Sequence, residues 1–450
     1  MLNIGSKKFT NLIACLLLLF MLIVAILSMK GDSLTMDELA HIPAGYSYMH
    51  ERDYRLNPEH PPLLKDLAAI PLLFMNLKFD KDFSAWKDDI NGQWAMGWKF
   101  IFASGNNPEK IIFWARIPMI LILMVLGFYI FRWAKELFGP KFALIALFLF
   151  SFSPTFIAHG RYVATDVGAA AAFFIATYYF VKWLENPTKK NLIIAGIIFG
   201  IAQLIKFSLF LLVIYFGLLL LIKIYIGWRE RNPLIKMFIS YCLKFVLILI
   251  IGYILVYPVY QYHVLNYPPE RQARDANFIS TSFMIRPIAK LIVWMSDKPI
   301  LRAYSQYLLG LSMVFQRATG GNTTFFLGEV SAAGWKSYFL VVYAIKEPLA
   351  LHILTIIALL FFAWQVPGKY WNRIFKSFVP FIKNYFPEIA MLIFVGMYWF
   401  LSIRSNLNIG VRHILPTFPF LYLLISGQIK RIFDYVKNKK ELGPCVVVLG

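Results

Sequence analysis

Long apolar runs separated by short basic clusters organise this chain. The first run covers residues 9–29. Others lie near 111–131, 140–158, 165–184, 191–206, 207–227 and 237–260, then near 337–363, 387–403 and 413–427. A helix of about 20 apolar residues spans the hydrocarbon of a bilayer, so the pattern predicts an all-α polytopic membrane protein. Two intervals break the rhythm: 30–110, a first long polar-to-amphipathic loop, and 261–336, a second. The expected organisation is an N-terminal anchor span (1–29), the first loop (30–110), a transmembrane core (111–260), the second loop (261–336) and a C-terminal transmembrane region (337–450). A last apolar run begins just before Gly450 and is expected to continue beyond it. The first run sits where a signal peptide would, but it has full spanning length and no small-residue cleavage site, so a retained anchor is expected.

Composition strengthens the membrane reading. The chain of 450 residues is 59% hydrophobic and only 15% charged, against about a quarter charged in a soluble domain. A formal net charge of +21 would suit nucleic acid, yet the basic residues fall in short clusters between spans and form no base-reading face. Nucleic acid is therefore not an expected partner. Cys15, Cys242 and Cys445 lie in or beside apolar runs without metal-type spacing. The clusters Arg132/Lys135/Lys141, Lys182/Lys189/Lys190, Arg229/Arg231/Lys236, Lys369/Arg373/Lys376/Lys383 and Lys430/Arg431/Lys437/Lys439/Lys440 mark alternate short loops. By the positive-inside rule these are cytoplasmic. The N-terminus, preceded by Lys7 and Lys8, is then cytoplasmic, and both long loops face outward from the plasma membrane.

The first loop holds the densest chemistry, TMDELAHIPAGYSYMHERDYRLNPEHPPLLK over residues 35–65. Thr35 and Glu38 form a T-x-x-E capping box, which predicts a helix starting at Thr35; completing that box is the simplest role for Glu38. Asp37 and His41, four apart, share one face of it. Pro61 and Pro62 suit the first turn of a second helix, with Glu59 and His60 just ahead. Surface helices are expected over 37–50 and 61–75. Two further polar elements fall on the same face: HGRYVATD, with His159, Arg161 and Asp166, and RSNLNIGVRH, with Arg404, Arg412 and His413. Carboxylates with histidine can hold a divalent cation, a carboxylate can act as general base, and arginine suits phosphate. Arg161 also reads as an interfacial snorkelling residue, and Lys206, between two short apolar runs, as interfacial. The rival reading, a lipid or sugar transporter or flippase without covalent chemistry, would need broken helices and polar residues at mid-depth. The polar cluster instead sits at one face, which favours an enzyme.

These residues resemble the GT-C superfamily of membrane glycosyltransferases, in particular its protein O-mannosyltransferase and aminoarabinose-transferase-like group, bacterial or archaeal. The resemblance rests on Asp37-Glu38, on Glu59-His60-Pro61-Pro62, on Ala115-Arg116-Ile117-Pro118, on SPTFIAHGRYVATD ending at Asp166, on GIIFGIAQLIKFS with Lys206, on the Phe326–Trp335 element and on NIGVRHILP from Asn408 to Pro416. It implies a bundle of about 10 to 13 transmembrane helices with amphipathic helices on the outer face. It also implies transfer of a sugar from a polyprenyl-phosphate donor to a hydroxyl of a lipid, glycan or protein acceptor, with membrane lipids as surroundings. On this basis Asp37 is the expected general base, and Glu38 and Glu59 complete the catalytic acids. His60, Lys65, Arg161 and Arg412 are expected to bind substrate, and Asp166 and His41 are the candidate ligands of a divalent metal cation. Where aminoarabinose transferases commonly carry lysine after the glutamate of E-x-P-P, this chain has His60, with Lys65 nearby but out of register.

Overall fold

The computed structural model describes residues 7–365 and 379–441. Lys369, Arg373, Lys376, Cys445 and the final apolar run lie outside the described residues, as do the side chains of Lys7, Lys439 and Lys440. Among the described residues the regular structure is helical apart from two short antiparallel strands, Thr324–Phe326 and Glu329–Ser331.

Ten apolar helical stretches occupy the positions that the hydropathy pattern marks, but they differ in kind. Six single helices are long and apolar enough to cross a membrane: Lys8–Met29, Pro108–Phe138, Asp166–Glu185, Phe207–Arg229, Leu234–His263 and Phe386–Arg404. A seventh stretch is a bent pair, Tyr338–Lys346 and Leu349–Trp364, angled by 113°. Pro348 sits at the break, where its ring and missing N–H stop the first helix. The expected span 140–158 is a 12-residue helix, Pro140–Ser151, followed by a short Pro154–His159 helix. The Ser153 side chain caps that second helix by accepting the Phe156 N–H at 3.3 Å. Lys189–Gln203 is 15 residues long, and the last stretch is a 3-10 turn, Val411–Thr417, leading into Phe418–Glu441.

Small residues let these helices approach closely. A Cβ on Gly200 would lie 2.6 Å from the Gly252 carbonyl oxygen, so Lys189–Gln203 and Leu234–His263 meet backbone to backbone. The alanine run of Asp166–Glu185 is buried throughout. Both long loops are more ordered than their polarity suggests. The second contains three amphipathic helices, Pro269–Ser280, Arg286–Ser296 and Arg302–Gly320. In the first, Met36–Tyr46 continues as a π-turn over Ser47–Glu51, and a second helix, Leu63–Ala69, extends as a 3-10 turn to Phe74. Neither crosses the bundle as a span. That second helix starts at Leu63, after both prolines. Trp86 is buried against Arg55, whose guanidinium lies 4.1 Å from the ring centroid, whereas Trp94 and Trp98 are exposed.

Candidate active site

Six segments of the chain line one cavity of about 450 Å³. The Met36–Tyr46 helix begins where expected: the Thr35 N–H and hydroxyl both donate to Glu38 Oε2, at 2.9 and 3.0 Å. Its one-turn spacing puts Asp37 and His41 on the cavity wall together. The Leu63–Ala69 helix is tied to the end of Lys189–Gln203 by the Leu63 N–H, which donates to the Leu204 carbonyl at 3.0 Å. That bond brings Glu59, His60 and Lys206 to the same space. Asp166 enters from the first turn of its helix, and Arg412 and His413 from the 3-10 turn before Phe418.

The polar end of the cavity is a chain of alternating charge. Arg412 Nη1 pairs with Asp37 Oδ2 and lies 3.8 Å from Asp166 Oδ2, and Lys206 Nζ sits 2.6 Å from Asp166 Oδ1. Burial works against the Arg412 charge, but Asp166 and Asp37 outweigh it and hold the guanidinium protonated. Glu59 accepts from Gln93 Nε2 at 2.6 Å and from Asn91 Nδ2 at 3.2 Å. His41 lies edge-on to His60, ring centroids 5.2 Å apart. Burial pushes both imidazoles below their ordinary value, and positive Lys65 lowers them further. The His413 ring stacks on Phe339, centroids 5.2 Å apart. Burial therefore favours the neutral form of His41 and His60, while Asp37, Asp166, Lys206 and Arg412 are joined in ion pairs. The opposite wall is apolar, with Phe210, Leu311, Met313, Val314, Phe315 and Leu401, and it carries two more cations, Arg317 and Arg404. Neither arginine forms a salt bridge among the described residues.

Residues 108–257 match the family model described as dolichyl-phosphate-mannose-protein mannosyltransferase. Among solved structures, ArnT from Cupriavidus metallidurans bound to undecaprenyl phosphate superposes with a TM-score of 0.53 at 14% identity, over 96% of this chain and 63% of that one. The oligosaccharyltransferase AglB from Archaeoglobus fulgidus, in complex with an inhibitory peptide and a dolichol-phosphate, gives 0.51 at 14% identity, over 99% of this chain and 52% of that one. The chain shares the fold of these two proteins. No curated protein sequence matches the chain. The chain spans between about half and two thirds of the length of these solved GT-C structures.

Within this fold, six of the nine residues given catalytic, substrate-binding or metal roles from sequence line the cavity: Asp37, His41, Glu59, His60, Asp166 and Arg412. Three do not. Glu38 is fully buried beside the cavity. Arg116 Nε and Nη2 each donate to it at 2.7 Å, and the Val163 N–H donates at 3.1 Å, so its carboxylate is saturated by structural partners. Lys65 is buried too. The three N–H groups of its ammonium are shared among four acceptors, the Asn57 carbonyl (3.0 Å), Asn57 Oδ1 (2.9 Å), the His60 carbonyl (2.8 Å) and the Tyr48 hydroxyl (2.9 Å), which leaves no proton for a phosphate. Arg161 pairs with Asp32 at 2.9 Å and donates to the Ser28 carbonyl, closing the end of the first span.

The metal expectation is not confirmed by the donor set. Among the described residues no group of three or more His, Cys, Asp or Glu is placed to hold a metal. Asp166 already carries Lys206 and Arg412, and a cation between Asp37 and Asp166 would have to displace the guanidinium that bridges them. Lys206, read from sequence as interfacial, is a cavity residue. Its position between two apolar runs was the signal, since a lysine there needs a carboxylate or an exit to water. Arg317 gave no signal: it ends an amphipathic helix like any surface cation.

Proposed function

We propose that the protein is a glycosyltransferase that moves a sugar from a polyprenyl-phosphate carrier to an acceptor hydroxyl at the outer membrane face. The observation that carries this reading is that one cavity on a GT-C fold joins a paired acid–cation cluster to a long apolar wall. The Leu311–Phe315 stretch and Leu401 suit an isoprenoid tail. Arg317 and Arg404, uncommitted among the described residues, and Arg412 suit the phosphate, whose charge grows as the sugar leaves and is stabilised by cations fixed in advance. Asp37 holds the acceptor hydroxyl for attack on the anomeric carbon, with inversion there. Glu59, positioned by two amides, faces the sugar. The ligands named for ArnT and AglB, undecaprenyl phosphate and a dolichol-phosphate, are of the same class. The acceptor is a lipid, glycan or protein hydroxyl.

An outward-facing cavity in the plasma membrane, with the N-terminus cytoplasmic, agrees with the distribution of charge. The cavity lies at the Asp166 end of the Asp166–Glu185 helix, whereas Lys182 at its other end joins Arg132 and Glu136 in a basic cluster, as expected of the cytoplasmic side. The test is transfer by the purified protein from a panel of polyprenyl-phosphate sugars. Release of polyprenyl phosphate together with glycosylated acceptor is the expected result. Translocation of a lipid-linked sugar across vesicles, without cleavage of any donor in the panel, would refute it.

A further inference from the structure

The cavity holds a histidine whose protonation geometry is fixed by the fold. His41 Nδ1 lies 2.8 Å from the Val163 carbonyl oxygen. A carbonyl only accepts, so Nδ1 carries the hydrogen. In the neutral ring, Nε2 is then left with a bare lone pair. No described residue hydrogen-bonds Nε2, and His41 lines the cavity one turn from Asp37. Asp166 and Glu59 are committed through both carboxylate oxygens, to Lys206 and Arg412 and to Gln93 and Asn91, and Asp37 is held by Arg412 through Oδ2. His41 has what a general base requires: a free lone pair, an orienting hydrogen bond on the other nitrogen, and access to the reacting space.

Resting on the glycosyl-transfer reading, we propose that His41 Nε2 takes the proton of the acceptor hydroxyl, while Asp37, bound to Arg412, orients that hydroxyl. As the acceptor oxygen bonds to the anomeric carbon, its O–H bond breaks and the proton moves to Nε2. The bond from the anomeric carbon to the phosphate oxygen breaks, and its electron pair leaves on the polyprenyl phosphate. The imidazolium keeps its Nδ1 bond to Val163 and returns the extra proton to water. The groups around the ring suit this cycle. Burial and Lys65, on the Leu63–Ala69 helix, keep the resting ring neutral. Asp37 on its own helix, and Glu59 beside His60 on the preceding segment, favour the transient positive charge.

The decisive variant is His41→Asn in the full chain. An asparagine amide N–H can replace Nδ1–H toward Val163 while removing the Nε2 base. With the donor and acceptor used by the wild type, kcat should fall by about a hundred- to ten-thousand-fold, with polyprenyl-phosphate affinity and melting temperature near wild type. Turnover within about five-fold of wild type would overturn the assignment and return the base role to Asp37. Should His41→Asn melt early, His41→Ala is assayed with added imidazole: recovery of turnover supports the assignment, and no recovery in protein that still binds polyprenyl phosphate overturns it. If the wild type transfers no sugar from any donor, the functional reading itself falls, an outcome distinct from a normal His41→Asn.

Discussion

Asp37 and Lys65 show how much a residue's role depends on what its side chain meets. Asp37 belongs to the cavity and shares Arg412 with Asp166. Asp37→Asn preserves shape and some hydrogen bonding but removes the charge that orients the hydroxyl and steadies an imidazolium. Turnover should fall at least about a hundred-fold while donor binding persists, and single-turnover kinetics on purified protein would show it. A value within a few-fold of wild type would remove Asp37 from the chemistry. Lys65 is the opposite case. Read from sequence it is a phosphate ligand, but its ammonium turns inward, to Tyr48 and to Asn57 and His60 on the loop that carries Glu59. Lys65→Met should cost about 2–4 kcal/mol, because buried acceptors lose their donor, with polyprenyl-phosphate affinity changed less than two- to three-fold. A variant that melts normally yet binds donor tenfold more weakly would restore the phosphate role.

At the scale of elements, the helices of the first loop are clasped rather than merely packed. The Glu38–Arg116 pair ties Met36–Tyr46 to Pro108–Phe138, and Arg116 also donates to the Ser33 carbonyl at 2.8 Å. Glu38→Gln leaves a buried guanidinium without its counter-charge. A loss of about 3–5 kcal/mol is expected, seen as early melting in detergent, with the activity of the surviving folded fraction near wild type. Gly45 marks a second clasp: a Cβ there would lie 2.1 Å from the Lys65 carbonyl oxygen, which is backbone and cannot yield. Gly45→Ala should therefore destabilise by at least about 1–3 kcal/mol, and a melting curve superimposable on wild type would show that these helices are free to part. Elements of this kind were legible where the signal was local. The T-x-x-E box fixed the start of Met36–Tyr46, and the i, i+4 spacing put Asp37 and His41 on one face. Long-range partners were not legible. Nothing near Glu38 in sequence names Arg116, 78 residues away, and nothing near Arg161 names Asp32. Both belong to motifs that look catalytic because the clasp is built beside the site. The bend at Pro348 was hidden for a different reason, since an apolar run reads the same whether or not the chain turns within it.

At the scale of the molecule, the pattern of spans gave the fold class because burial in lipid leaves helices as almost the only way to satisfy backbone hydrogen bonds. The number of full-length spans was less legible, since short or bent helices such as Pro140–Ser151 share the hydropathy of longer ones. Orientation rests on charge alone, and two exposed positions test it. Ser84 lies in the first long loop, on the side of the cavity segments; Thr188 lies between Asp166–Glu185 and Lys189–Gln203, beside Lys189 and Lys190. With Cys15, Cys242 and Cys445 replaced by serine, Ser84→Cys should react with a membrane-impermeant thiol reagent added to intact cells, and Thr188→Cys should react only after the membrane is opened. The argument is energetic. Basic loops are retained on the cytoplasmic side during insertion, and the cluster of Arg132, Lys182 and Glu136 marks the end of the bundle away from the cavity. Labelling of Thr188→Cys but not Ser84→Cys from outside would invert the topology, place the cavity in the cytoplasm, and require a donor presented on the inner leaflet.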